Sequence, residues 1–280
     1  MSSPSELVTA ELLRQWGLPA PGDSKKTRGR VMVVGGSRRS PGAVVLAGEA
    51  ALRVGAGRLG LVVPASVEGQ LGVVIPEAAV LSLPQHASDP IAEPAHGELE
   101  AADAVLLGPG FDNGDETKAT LLAVGDVGVR CLVLDAYALG VLADVPRERL
   151  PRDLILNPNQ EEAELLLGRE LGEDRESDLR EIARRFDAVV NCYGVIADPH
   201  GATWQVPAGG PGLGTSGSGD VLAGAITGFA ARGVDPSRAA VWGSWVHARA
   251  GDALTERLGI GFLARDLPAA LTASLNEVTA

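Results

Sequence analysis

Aromatic residues are scarce. They make up 4% of the 280 residues, so alanine, valine, leucine and glycine must fill any core. Cysteine is nearly absent: Cys131 and Cys192 form no CxxC pair, which excludes a disulfide framework and a thiolate metal cage. Cys131 lies in an apolar run and reads as a buried small hydrophobe. The four histidines, His86, His96, His200 and His247, lack zinc-ligand spacing, and no metal ligand set is expected. Positive charge is also short. With 24 Lys and Arg against 36 Asp and Glu, the net charge is −12, which argues against nucleic acid and anionic membranes as partners. No segment has the length and lack of charge of a membrane span, and residues 1–10 lack the basic and apolar regions of a secretory signal. A reducing cytoplasmic compartment is expected.

Glycine, by contrast, is abundant at 36 residues, and 45% of the chain is apolar. Short apolar runs alternate with helical patterns. Strands are expected at 29–34, 59–63, 104–107, 131–134, 154–156 and from 188 onward, with 195–197 in a hairpin or at an edge. Helices are expected over 9–16 and 41–54, after Asn157-Pro158-Asn159, from Asp220 to Gly233, and after Asp235-Pro236. In the helix after 157–159, Asn159 and Glu162 have capping-box spacing, and Pro158 suits a first helical position. Continuous apolar strands between helices predict a mostly parallel sheet covered on both faces. Residues 84–98 suggest a mobile surface connection, and 172–181 a solvated loop and helix face. Trp242 and Trp245, three apart on a helix, are expected in the core, and His247 is expected to be structural.

Ligands of such sheets gather at the carboxyl ends of strands. There the chain places Gly35-Gly36-Ser37, Gly108-Pro109-Gly110, Asp135 and Asn157-Pro158-Asn159. Gly214-Thr215-Ser216-Gly217-Ser218-Gly219-Asp220 leads straight into an apolar helix. Small residues there expose backbone N–H groups at a positive helix end, which attracts anions. Asp220 then sits where a base meets a substrate hydroxyl beside a bound phosphate; the same residues also suit a plain turn with Asp220 as N-cap. Gly55-Ala56-Gly57-Arg58-Leu59-Gly60 matches GxGxxG, but it follows a helix and precedes a strand, the reverse of a dinucleotide fingerprint. It reads as a helix C-cap feeding a strand.

Several motifs, in order, resemble the ADP/ATP-dependent NAD(P)H-hydrate dehydratases. These are Gly35-Gly36-Ser37 with Pro41-Gly42-Ala43, then 50–57, Gly108-Pro109-Gly110, Leu134-Asp135-Ala136, Leu156–Asn159 with Glu162, 215–224, and His247 with Ala250-Gly251-Asp252. The resemblance spans roughly residues 25–275 and implies a three-layer α/β/α, ribokinase-like fold in a single domain over 1–280, with no fused epimerase domain. It implies dehydration of the S form of hydrated NADH or NADPH, driven by phosphoryl transfer from ADP or ATP with Mg2+. It also implies a homo-oligomer, a tetramer, working alongside a separate epimerase.

By the same resemblance, Asp220 takes or orients the hydroxyl proton, and the N–H groups of Gly217, Ser218 and Gly219 stabilise the moving phosphoryl group. Asn191, Cys192, Tyr193, Thr215, Ser216 and Gly219 fall at nucleotide-binding positions. Ala43, Gly110, Asp135, Asn159 and Asp220 fall at substrate-binding positions. The chain departs from the family pattern in three places. Asp135-Ala136-Tyr137 loses an acidic group, Asn157-Pro158-Asn159 replaces Thr-Pro-His, and Val190-Asn191-Cys192-Tyr193-Gly194 lacks the usual lysine. Two other readings stay open: a ribokinase-like kinase of a small alcohol, and a catalytically impaired nucleotide-binding paralogue.

Overall fold

A computed structural model describes residues 5–279. Its ten strands are β1 (Glu6–Leu7), β2 (Arg30–Val34), β3 (Arg58–Val63), β4 (Ala78–Ser82), β5 (Ala104–Leu107), β6 (Cys131–Leu134), β7 (Asp153–Leu156), β8 (Val189–Cys192), β9 (Val195–Ala197) and β10 (Thr203–Gln205). The α-helices are α1 (Ala10–Trp16), α2 (Gly42–Arg53), α3 (Ala65–Val74), α4 (Ala95–Glu100), α5 (Gly114–Val127), α6 (Tyr137–Val141), α7 (Gln160–Leu167), α8 (Arg175–Phe186), α9 (Ser218–Ala231), α10 (Pro236–Leu258) and α11 (Leu267–Thr279).

All ten strands join one sheet in the order β1-β10-β9-β8-β7-β6-β5-β2-β3-β4. Every pairing is parallel except those of β9, which runs antiparallel to both β8 and β10. Strand alternation splits the core in two. Val31, Val33, Leu106 and Val133 face a layer that includes α2, α9, α10 and α11, while Met32, Val34, Leu107 and Leu134 face one that includes α5, α7 and α8. This is the expected three-layer α/β/α architecture.

Small residues set the closest helix contact. A Cβ on Gly224 or Gly228 of α9 would collide with backbone of Ala47 or Ala51 in α2, so the two helices touch nearly backbone to backbone. Both helices begin at the carboxyl edge of the sheet and bring their N-terminal turns together there.

Some expectations hold and others need correction. Val195–Ala197 forms a hairpin with β8, one of the two expected arrangements, and is not an edge, because it also pairs with β10; the edges are β1, two residues long, and β4, which is only partly buried. The 84–98 connection buries Ile91 and Ala95 in the second core and ends in α4. Within 172–181, Asp178 and Arg180 are buried; Asp178 pairs with Arg169 at 2.7 Å and accepts from the Gly172 N–H at 2.6 Å. Pro158 precedes α7, whose N-cap is Asn159, with the full capping box to Glu162. Trp242 and Trp245 are core residues. The GxGxxG stretch joins the end of α2 to β3.

Gly224→Ala and Gly228→Ala should each force α2 and α9 apart, at a cost of about 1–3 kcal/mol. Gly219→Ala, where an added Cβ meets nothing within 4 Å, should leave stability unchanged or slightly raised. Denaturant midpoints check this: equal values for all three variants would mean that the helix contact tolerates expansion.

Candidate active site

A cleft of about 650 Å3 opens where β6, β7 and β8 end and α9 and α10 pass over them. Its size suits a small-molecule ligand. The N-terminus of α9 forms one wall. Its N-cap is Gly217, with φ +91° and no side-chain capping bond. A side chain at 217 would be strained by that φ, and its Cβ would fall 2.6 Å from Leu46 Cδ1. Asp220 is therefore not the N-cap but the third residue of the helix, in its acidic first turn. The Ser218 N–H donates to the Thr215 carbonyl at 3.2 Å. Among the described residues the N–H groups of Gly217, Gly219 and Asp220 have no acceptor, and all three residues line the cleft at this helix end, the kind of terminus that attracts anions.

Three carboxyl groups line the cleft, those of Asp220, Asp135 and Glu162. Burial pushes Asp220 up to about 6. Asp135, at the end of β6, is buried; that burial, and then the charge of Asp220, push its carboxyl well above the usual carboxylate range, while the Asn157 amide and the Ala136 N–H oppose the shift. Glu162, whose carboxylate caps α7, also lines the cleft and is raised by burial.

Backbone strain gathers here as well. Three non-glycine residues among those described have positive φ, and two of them, Ala136 (φ +51°) and Tyr193 (φ +47°), line the cleft.

The residues singled out from sequence fall into two groups. Asp135, Asn159, Asn191, Tyr193, Thr215, Gly217, Ser218, Gly219 and Asp220 line the cleft. Ala43, Gly110, Cys192 and Ser216 do not. Ala43 and Gly110 lie together at the ends of β2 and β5, where a Cβ on Gly110 would come 3.1 Å from that of Ala43. Strand alternation explains Cys192: Asn191 turns toward α10, so Cys192 turns into the opposite core, where burial pushes its thiol up to about 12. Ser216 is exposed on the loop, and Tyr137 starts α6 with 45% of its surface exposed.

Ser244 and the pairings among the other polar residues were not read from the sequence. Ser218 Oγ lies 3.1 Å from His247 Nε2, both buried in the cleft wall. Burial pushes His247 down to about 4, so it is neutral at pH 7. Asp252 accepts from the Gly209 and Gly210 N–H groups at 3.2 and 2.9 Å and fixes that loop against the cleft. A buried chain of hydrogen bonds joins Ser244, Asn191, Asn157 and Asp135. The available clue was a row of small or polar residues, Ser244, His247, Ala248 and Gly251, on one face of an otherwise apolar helix.

The family model for NAD(P)H-hydrate dehydratases matches residues 31–273. The chain belongs to the NAD(P)H-hydrate dehydratase family. Among curated relatives of this dehydratase domain, the ADP-dependent (S)-NAD(P)H-hydrate dehydratase of Xanthomonas campestris is 47% identical over 274 residues, covering 93% of each chain. The bifunctional NAD(P)H-hydrate repair enzyme of Escherichia coli is 34% identical, over 97% of this chain but 52% of its own, so the chain spans about half of that relative. The ADP/ATP-dependent NAD(P)H-hydrate dehydratase of Bacillus subtilis, co-crystallised with ATP and Mg2+, superposes with a TM-score of 0.84 at 27% identity, covering 98% of this chain and 99% of its own. The likeness confirms the ribokinase-like fold.

The described residues of this dehydratase-family chain offer no group of three or more His, Cys, Asp or Glu side chains able to hold a metal ion. A resident metal cage does not fit; a magnesium ion suits this cleft as one carried in by nucleotide phosphates. Among the described residues no helix is long and apolar enough to cross a membrane.

Asp220 generates a stability prediction. Its value in the folded protein, about 6, lies above the ordinary 3.8, so between those values the folded state holds a proton that the unfolded chain has released. Stability from this group therefore falls as pH rises through that window, and the full cost is present above it. Asp220→Asn should stabilise the protein by up to about 3 kcal/mol near pH 8 and by almost nothing near pH 4. A stability difference independent of pH in denaturant titrations would contradict this.

Proposed function

We propose that the chain dehydrates the S form of hydrated NADH or NADPH using ADP or ATP. One observation carries the reading: a carboxylate, Asp220, stands in the first turn of a helix where the N–H groups of Gly217, Gly219 and Asp220 are free, inside a cleft of small-molecule size. The name of the Xanthomonas relative supports ADP as donor, and the ATP and Mg2+ of the Bacillus crystal support a nucleoside polyphosphate with magnesium.

The chemistry needs a better leaving group than hydroxide. The substrate hydroxyl oxygen attacks the terminal phosphorus. An O–P bond forms, the bond to the bridging oxygen breaks, and Asp220 takes the hydroxyl proton. Phosphate then departs with the C–O bonding pair, the ring nitrogen lone pair stabilises the cation, and loss of a ring proton restores the double bond. The N–H groups of Gly217, Gly219 and Asp220 stabilise charge on the migrating group. Ser218 serves through its side chain, which His247 anchors. Thr215, Asn191 and Tyr193 border the nucleotide, and Asp135 and Asn159 border the hydrated ring. Ala43 and Gly110 extend that path past the ends of β2 and β5. The magnesium supplies charge neutralisation on the phosphates. A single sheet joining β1 to the C-terminal half supports one domain, and two free, buried cysteines suit a reducing compartment.

Incubation with hydrated NADH, Mg2+ and ADP or ATP should restore the absorbance of reduced dinucleotide. Asp220→Asn should lose nearly all turnover while nucleotide affinity stays within about tenfold. Gly219→Val, at a position open to the cleft, should fold normally and lose nucleotide binding. An alcohol phosphorylated without NADH recovery, or nucleotide bound without turnover, would overturn the reading.

A further inference from the structure

Asn157 and Asn191 lie in two of the segments where this chain departs from the pattern of the family it resembles, and in the structure they touch. Asn191 Nδ2 donates to Asn157 Oδ1 at 2.7 Å. Asn157 Nδ2 donates to Asp135 Oδ1 at 3.0 Å, and the Ser244 hydroxyl donates to Asn191 Oδ1 at 2.9 Å. The four residues come from α10 and from the carboxyl ends of β8, β7 and β6. All four are at least nine-tenths buried, and all four line the cleft.

One constraint orients the whole chain. A carboxylate only accepts, so an ionised Asp135 requires the NH2 of Asn157. That leaves the Asn157 carbonyl for Asn191, which must present its own NH2, and the Asn191 carbonyl then requires the hydroxyl proton of Ser244. The reverse polarity exists only when Asp135 is protonated and donates to Asn157. Each link therefore favours one charge state of a carboxyl group that lies 22 residues from Asn157 in sequence and 109 from Ser244. The charged groups facing Asp135 are Asp220 from α9 and Glu162 from α7, and both oppose its ionisation.

We infer that Asn191 and Ser244 are positioning residues that act through Asn157 to hold Asp135 as an aimed carboxylate on the cleft floor. The inference rests on the proposed role of Asp135 beside the substrate. It gives the two asparagines a joint purpose: each supplies the partner that the other needs.

The test follows the Asp135 carboxyl directly in ligand-free protein by carbon NMR of labelled aspartate, with Asp135→Asn assigning the signal. Asn191→Leu should move the Asp135 titration midpoint upward by about one pH unit, a tenfold change in proton affinity. Ser244→Ala should move it in the same direction, and Ser244→Thr, which keeps the hydroxyl, should restore it. In turnover, Asn191→Leu should lower kcat/KM at least tenfold and shift the acidic limb of its pH profile upward. In an Asp135→Asn background neither substitution should weaken substrate affinity further. A midpoint unmoved in folded Ser244→Ala or Asn191→Leu, or affinity losses that add in full to Asp135→Asn, overturns the inference. Should Asn191→Leu fail to fold, Ser244→Ala decides alone. A wild-type protein that does not dehydrate the hydrate would sink the proposed activity yet leave the titration to judge the positioning chain.

Discussion

The near-contact of α2 and α9 governs the rest of the molecule. Gly224 and Gly228 admit the backbone of Ala47 and Ala51, and no larger side chain fits between. That closeness holds the first turn of α9 at the ends of the central strands. Leu46 of α2 in turn crowds Gly217, so the helix must start on a residue without a side chain. Such a start leaves N–H donors uncapped. The proposed anion site thus depends on how tightly α2 and α9 pack against each other.

Electrostatics then decide what this corner does. The chain carries a net charge of −12, so anion binding must come from local dipoles rather than from the overall field. Against those dipoles stand Asp220 and Asp135, both raised by burial. A carboxylate near 6 is ionised at neutral pH yet basic enough to receive a proton, whereas one at its ordinary value is a weaker base. The neutral His247 adds no charge and serves through its hydrogen bond to Ser218. Asp252 clamps the opposite loop. The cleft is held by neutral and anionic groups, and a nucleotide with its own cation complements them.

Much of this was legible before any coordinates. The central strands β5 and β6 were placed to the residue, because four consecutive apolar residues ending in Gly or Asp leave little ambiguity. The loop before α9 was visible as small residues running into an apolar helix. Edge strands β1 and β4 were not, since a strand paired on one side needs little periodicity. Asn159 announced its capping box through spacing alone, while Pro158 misled, because proline also suits the residue just before a cap. Cys192 was grouped with its neighbours in sequence, but alternation turned it into the opposite core. Longer links were hidden. The bond of Ser218 to His247 spans 29 residues and that of Asn191 to Ser244 spans 53, and no local pattern encodes either.

The central claim is that the first turn of α9 receives the phosphoryl group that Asp220 helps to transfer. A crystal structure with ADP and Mg2+ tests it most directly. The account predicts the terminal phosphate within hydrogen-bonding reach of the Gly219 N–H, with the Asp220 carboxylate beside the open space next to it. Phosphate density elsewhere, with the α9 N-terminus facing only solvent, would contradict it.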